Sequence, residues 1–158
     1  MVWFFSLVGA IGVLIFLPFY LFESEFDIPI KIKGQVIATN DSLSKIIVFV
    51  NIVSGLLFLY SIYSLRKAVS LFQKGEIFNE EIVRLFNLIG QLVIASSLIS
   101  NVSLFIYKFV LKDHADLTLD LGSYDSFLIS ISLGLFFIVI SAVFKIATRM
   151  KEENELTI

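Results

Sequence analysis

The chain has 158 residues, of which 58% are apolar against roughly 45–50% in a typical globular protein; only 16% are charged, and the formal net charge is −2. Four stretches, residues 1–22, 46–65, 85–107 and 126–144, contain no Asp, Glu, Lys or Arg, so all 12 basic and 14 acidic residues fall outside them. Charge gathered into blocks excludes a soluble enzyme, a nucleic-acid binder and a disordered chain, each of which needs wettable side chains along its length.

A bilayer's hydrocarbon core is about 30 Å thick, so a spanning helix needs about 20 apolar residues at 1.5 Å each. The four runs meet that length, and they lack the period-two alternation of barrel strands. They predict an all-α integral membrane protein, a bundle of four transmembrane helices in a single domain. The first span covers 2–22, with Trp3 at one interface and Tyr20 near the other. No basic residue precedes it and no small-x-small cleavage site follows, so it reads as a retained helix rather than a secretion signal. Pro18 falls in its last turn, where it favours a kink.

An outer loop follows over 23–42. Ile28, Ile30 and Ile32 alternate with Pro29, Lys31 and Lys33 ahead of Gly34, a strand-and-turn pattern. The second span and its extension cover 43–74, where Ala68, Val69, Leu71 and Phe72 keep helical spacing beyond the charge-free run. Lys74 then Gly75 reads as a helix C-terminus with a C′ glycine. After a turn over 75–79, Asn79 reads as an N-cap with Glu80 and Glu81 in the first turn, where the helix dipole favours them. Phe78 and Val83 stand where a hydrophobic staple places its two residues.

The third span and its extension cover 80–110. It is the run richest in amides and serines, which predicts the most buried helix of the bundle. A second outer loop covers 111–125, and its Asp-Leu-Thr-Leu-Asp-Leu at 116–121 alternates strictly, so the two outer loops together predict a small extracytoplasmic sheet of two or three strands. The fourth span covers 126–150 and a charged tail 151–158. Four spans put both termini and the 66–84 connection on one side, which holds seven of the 12 basic residues, so that side is predicted to be cytoplasmic. Spans two and three, longer than the hydrocarbon core, project there as a helical hairpin.

Chemistry is scarce. His114 lies near Asp113, Asp116 and Asp120, yet the spacing matches no metal signature, and no catalytic motif or phosphate-binding glycine loop occurs. No catalytic residue, metal or cofactor is expected. The polar groups inside the runs are hydroxyls and amides such as Asn51, Gln91 and Asn101, none ionisable, which disfavours a pump or a membrane enzyme. The 66–84 hairpin reads either as a structural connection or as a docking surface.

The segment Lys74-Gly-Glu-Ile-Phe-Asn-Glu-Glu-Ile-Val-Arg-Leu, then Ile89-Gly90, and the terminal Glu152-Glu-Asn-Glu-Leu-Thr-Ile158 resemble the bacterial membrane-protein family called domain of unknown function 2975. The glycine-acidic-Ile-Phe turn of that family matches Gly75, Glu76, Ile77 and Phe78, and its tail matches Glu152 to Ile158. The resemblance implies a four-helix inner-membrane protein of unassigned biochemistry. Many such proteins are encoded beside a small helix-turn-helix regulator of the Cro/C1 type, which implies a membrane protein that binds or restrains a cytosolic transcription regulator without touching nucleic acid itself. The residues expected to bind that partner are Gly75, Glu76, Phe78, Asn79, Glu80, Glu81 and Arg84 in the hairpin. In the tail they are Glu152, Glu153, Glu155, Leu156 and Ile158. Competing expectations are a structural, immunity-like or membrane-stress protein without a regulator, and a small transporter subunit with a polar cavity lined by Asn51, Gln91 and Asn101.

Overall fold

The structure, a computed structural model, describes residues 12, 30–32, 35–37, 42–75, 77–111 and 121–155. The rest of the expected first span, Glu76, the loop residues 112–120 with His114, and the last three residues lie outside that description.

Two three-residue strands, β1 (Ile30–Ile32) and β2 (Gln35–Ile37), pair antiparallel with Ile30 opposite Ile37 and Ile32 opposite Gln35. Three helices follow: α1 (Ser42–Gln73), α2 (Glu80–Leu111) and α3 (Leu121–Glu155). At 1.5 Å per residue they are roughly 48–52 Å long. Each contains a segment long and apolar enough to cross a membrane: Ser42–Gln73, Glu80–Val110 and Ser126–Asn154.

Two expectations change here. Leu121, the last residue of the alternating 116–121 segment, is helical and opens α3. Residues 116–120, which carry the rest of that strand expectation, lie outside the described residues. At the other end, α3 runs to Glu155 rather than stopping near 150, because Glu and Lys are good helix formers and Arg149 Nε donates to Glu153 Oε1 one turn ahead at 2.9 Å.

Helix α2 packs against both α1 and α3, the burial its small polar residues predict. Both pairs are antiparallel. On the α1 side, Ser54 Oγ donates to Ser96 O at 2.6 Å and Asn51 Nδ2 to Ser103 Oγ at 2.7 Å. On the α3 side, Ser141 Oγ donates to Val83 O at 2.7 Å, and Gly90 meets Gly134. A Cβ on Gly90 would lie 2.5 Å from the Gly134 carbonyl oxygen, so only glycine permits this approach of the two backbones. One core, Ala68, Leu71, Ile82, Leu85, Phe86, Ile89 and Val93, fills the end near the α1–α2 turn; Phe72, Phe137 and Phe144 pack around it. A smaller one, Ile47, Val48, Leu104 and Tyr107, lies at the far end.

Candidate functional site

The α1–α2 turn is built by local chemistry. Gly75 adopts a φ of 78°, the left-handed conformation that ends a helix without a Cβ penalty. Its N–H donates to Phe72 O at 3.0 Å and that of Lys74 to Leu71 O at 3.1 Å, closing the last turn of α1. Asn79 then starts α2: its Oδ1 accepts from the Glu81 N–H at 3.0 Å, and its carbonyl accepts from Ile82 N at 3.1 Å. Between these caps Ile77 and Phe78 stand 38% and 47% exposed.

Three of the carboxylates expected to attract a basic partner, Glu80, Glu81 and Glu153, already have cations. Lys67 Nζ reaches across the hairpin to Glu81 Oε1 at 2.6 Å, Arg84 holds Glu80 at 2.8 Å, and Arg149 holds Glu153 at 2.9 Å. All six side chains are well exposed, so solvent screens each pair and the partners exchange easily. The hairpin residues Gly75, Phe78, Asn79, Glu80, Glu81 and Arg84 thus form one compact tip. Glu152 and Glu153 stand at the same end of the molecule on the protruding turns of α3. Because Ser141 is level with Val83, Glu80 is level with about residue 144, and α3 runs on by roughly 16 Å past the start of α2. Met150 on this stretch is also exposed, while Thr148 is buried with an Oγ1 that has no hydrogen-bond partner. Glu76, Leu156, Ile158 and the Glu155 side chain lie outside the described residues.

Three features of this end were not foreseen: the Lys67–Glu81 bridge, the exposed Ile77 and the unmet Thr148 hydroxyl.

The three amides named as cavity-lining candidates have different surroundings. Asn51 lies between α1 and α2, accepting from Ser100 Oγ at 2.9 Å while donating to Ser103. Asn101 donates to Ser97 O on its own helix, and Gln91 is exposed on another face of α2. Among the described residues no group of three His, Cys, Asp or Glu side chains is placed to hold a metal ion. Asp113, His114 and Asp116 lie outside them.

A family model described as "Protein of unknown function (DUF2975)" matches residues 2–158. No curated protein and no solved structure matches the chain.

Proposed function

We propose, on the premise that the chain belongs to the DUF2975 family, that it is a non-enzymatic protein of the bacterial inner membrane whose hairpin end docks a cytosolic regulator. In this reading residues 2–22 supply a fourth span, both termini and the α1–α2 turn face the cytoplasm, and the β1–β2 ribbon faces outward. The single observation that carries it is the exposed Ile77–Phe78 pair at the hairpin tip. The caps at Gly75 and Asn79 are made by a left-handed glycine and the Asn79 side chain, and Ile77 and Phe78 still leave more than a third of their surface in water. Exposed aromatic anchors ringed by polar groups are the usual centre of a docking surface.

Charge plays a secondary part. Seven basic and six acidic residues are assigned to this side, so its net charge is near +1 and long-range steering of a basic domain is weak. Recognition works instead by exchange: a basic helix-turn-helix protein offers its own Arg and Lys to Glu80, Glu81, Glu152 and Glu153 in place of the exposed pairs. The helix-turn-helix character of the partner rests on the family resemblance and on these available carboxylates.

The test is co-purification of the full-length membrane protein with a small helix-turn-helix protein encoded beside it. Joint Ile77→Ser and Phe78→Ser substitution is expected to weaken capture about tenfold or more, as loss of an apolar anchor does. Removing 152–158 is expected to weaken it less. Capture indifferent to both changes places the site elsewhere. No capture by the intact protein defeats the regulatory reading and favours a structural one.

A further inference from the structure

Helix α2 carries a polar stripe that its neighbours do not use. Arg84, Asn87, Gln91, Leu98 and Phe105 are all exposed, and their spacing of three, four, seven and seven residues puts them on one face, beside half-buried Ile94, which packs toward Gly134 of α3. Arg84 is bound to Glu80, but the Asn87 and Gln91 amides have no hydrogen-bond partner among the described residues. Both sit inside the charge-free run 85–107, with Gln91 about 9 Å past Leu85 along the helix axis. Hydrocarbon offers nothing to an amide, so this face cannot simply look onto lipid.

We propose that the stripe is the seam of a parallel homodimer, α2 of one chain against α2 of a second copy. Copies of one protein insert into the membrane with the same orientation, so across a two-fold axis along the membrane normal each residue meets its own level. An amide, carrying both donor and acceptor, is complementary to itself at such an axis: Asn87 meets Asn87 and Gln91 meets Gln91. Below them Leu98 and Phe105 provide the apolar part of the seam. Asn or Gln within a membrane helix pairs across helices in this way, and one at an a-type position fixes register. At the membrane edge the Glu80–Arg84 pair neutralises what would otherwise be two facing guanidinium groups. The alternative occupant, the run 2–22 of the same chain, is poorly suited: apart from Trp3 and Tyr20 near its ends, its one polar side chain is Ser6. The seam shares Glu80 and Arg84 with the docking tip, but its core from Asn87 to Phe105 is argued without the tip and stands or falls without it.

The chain has no cysteine, so single cysteines can be read without background. In the full-length protein in its native membrane, Asn87→Cys, Gln91→Cys and Leu98→Cys are expected to form disulfide-linked dimers on mild oxidation. Phe49→Cys and Val139→Cys, on exposed faces of α1 and α3, are expected to yield at least fivefold less. Equal yields at all five positions, or none, overturn the proposal. So does a disulfide within one chain between Gly12→Cys and Gln91→Cys, which would seat the first run on the stripe. As a second measurement, joint Asn87→Leu and Gln91→Leu substitution is expected to raise the dimer dissociation constant in bilayers by roughly fivefold to thirtyfold, counted by single-molecule photobleaching. An unchanged dimer fraction, or a monomeric unsubstituted protein, overturns it as well.

Discussion

At the hairpin end, four phenylalanine rings from three helices lie face to face or tilted at 5.5–6.0 Å: Phe72 on Phe86 and Phe144, and Phe86 on Phe137 and Phe144. At the far end the core among the described residues is Ile47, Val48, Leu104 and Tyr107, and Asn51, bonded to both Ser100 and Ser103, joins α1 to α2. The difference follows from solvent. Ala68, Leu71, Phe72 and Ile82 lie beyond the charge-free runs, interleaved with Arg66, Lys67 and Arg84, where removing apolar surface from water drives packing, and Phe86 and Phe144 stand at the margins of the runs while Phe137, Ile89 and Val93 carry the cluster on into them. Ile47, Val48, Leu104 and Tyr107 lie inside the runs, where lipid tails are as apolar as any side chain and helices associate through close fit and hydrogen bonds.

The largest effect is expected where the two regimes meet, at the Gly90–Gly134 crossing. Gly90→Leu places side-chain atoms where the Gly134 carbonyl and Ile138 already stand, and α3 must move away from α2. Overpacking of this kind costs about 3 kcal/mol or more when backbone is the obstacle. Unfolding of the full chain in detergent–SDS mixtures would register it as a lost or strongly shifted transition. A change under about 1 kcal/mol would show that the helices part there at little cost, and the two ends would then be mechanically separate.

A matched pair of truncations tests the solvent argument directly. Ile82 is fully buried at the hairpin end, and Leu104 is 7% exposed at the far end. Ile82→Ala is expected to cost about 3 kcal/mol, since it loses both the transfer from water and the packing around the cavity. Leu104→Ala is expected to cost about 1–2 kcal/mol, because a chain unfolded within the bilayer keeps Leu104 in an apolar medium and only the packing term is lost. Equal costs at the two sites would break the comparison.

The hairpin was legible in the sequence because caps are local: Lys74-Gly75 and Asn79-Glu80-Glu81 each declare a helix end within a few residues. The three long helices were legible from their lack of charge alone. What escaped depended on direction rather than type. The polar content of the third run correctly marked α2 as the packed middle helix, but it mixes buried Ser96, Ser97 and Ser103 with Asn87 and Gln91 on the exposed face. Only the phase of each residue about the helix axis separates them, and that requires knowing where α1 and α3 lie. The Lys67–Glu81 bridge escaped for the same reason, since it joins residues from two helices whose rotation the turn sets. At the end of α3, charge signalled a tail, although Arg149 and Glu153 are spaced to prolong a helix.

The smallest effect, and the finest test of the comparison, belongs to Asn51. Asn51→Leu keeps the side chain's shape while removing the contacts to Ser100 and Ser103 and the donation to Ile47 O at 2.9 Å. In water-filled surroundings the stranded hydroxyls would be solvated; in lipid they must turn to their own helix, as Ser103 Oγ already does toward Ser100 O at 2.9 Å. That fallback limits the loss to about 1 kcal/mol, the scale of interhelical hydrogen bonds in membranes. A double-mutant cycle with Ser103→Ala is expected to isolate a coupling of about 0.6 kcal/mol. Gln91→Leu supplies the contrast: with no hydrogen-bond partner among the described residues, it is expected to leave unfolding of the monomer unchanged and to act on association alone. If Gln91→Leu destabilised the monomer as much as Asn51→Leu does, its amide would have a partner within the chain, and the stripe on α2 would belong to the fold.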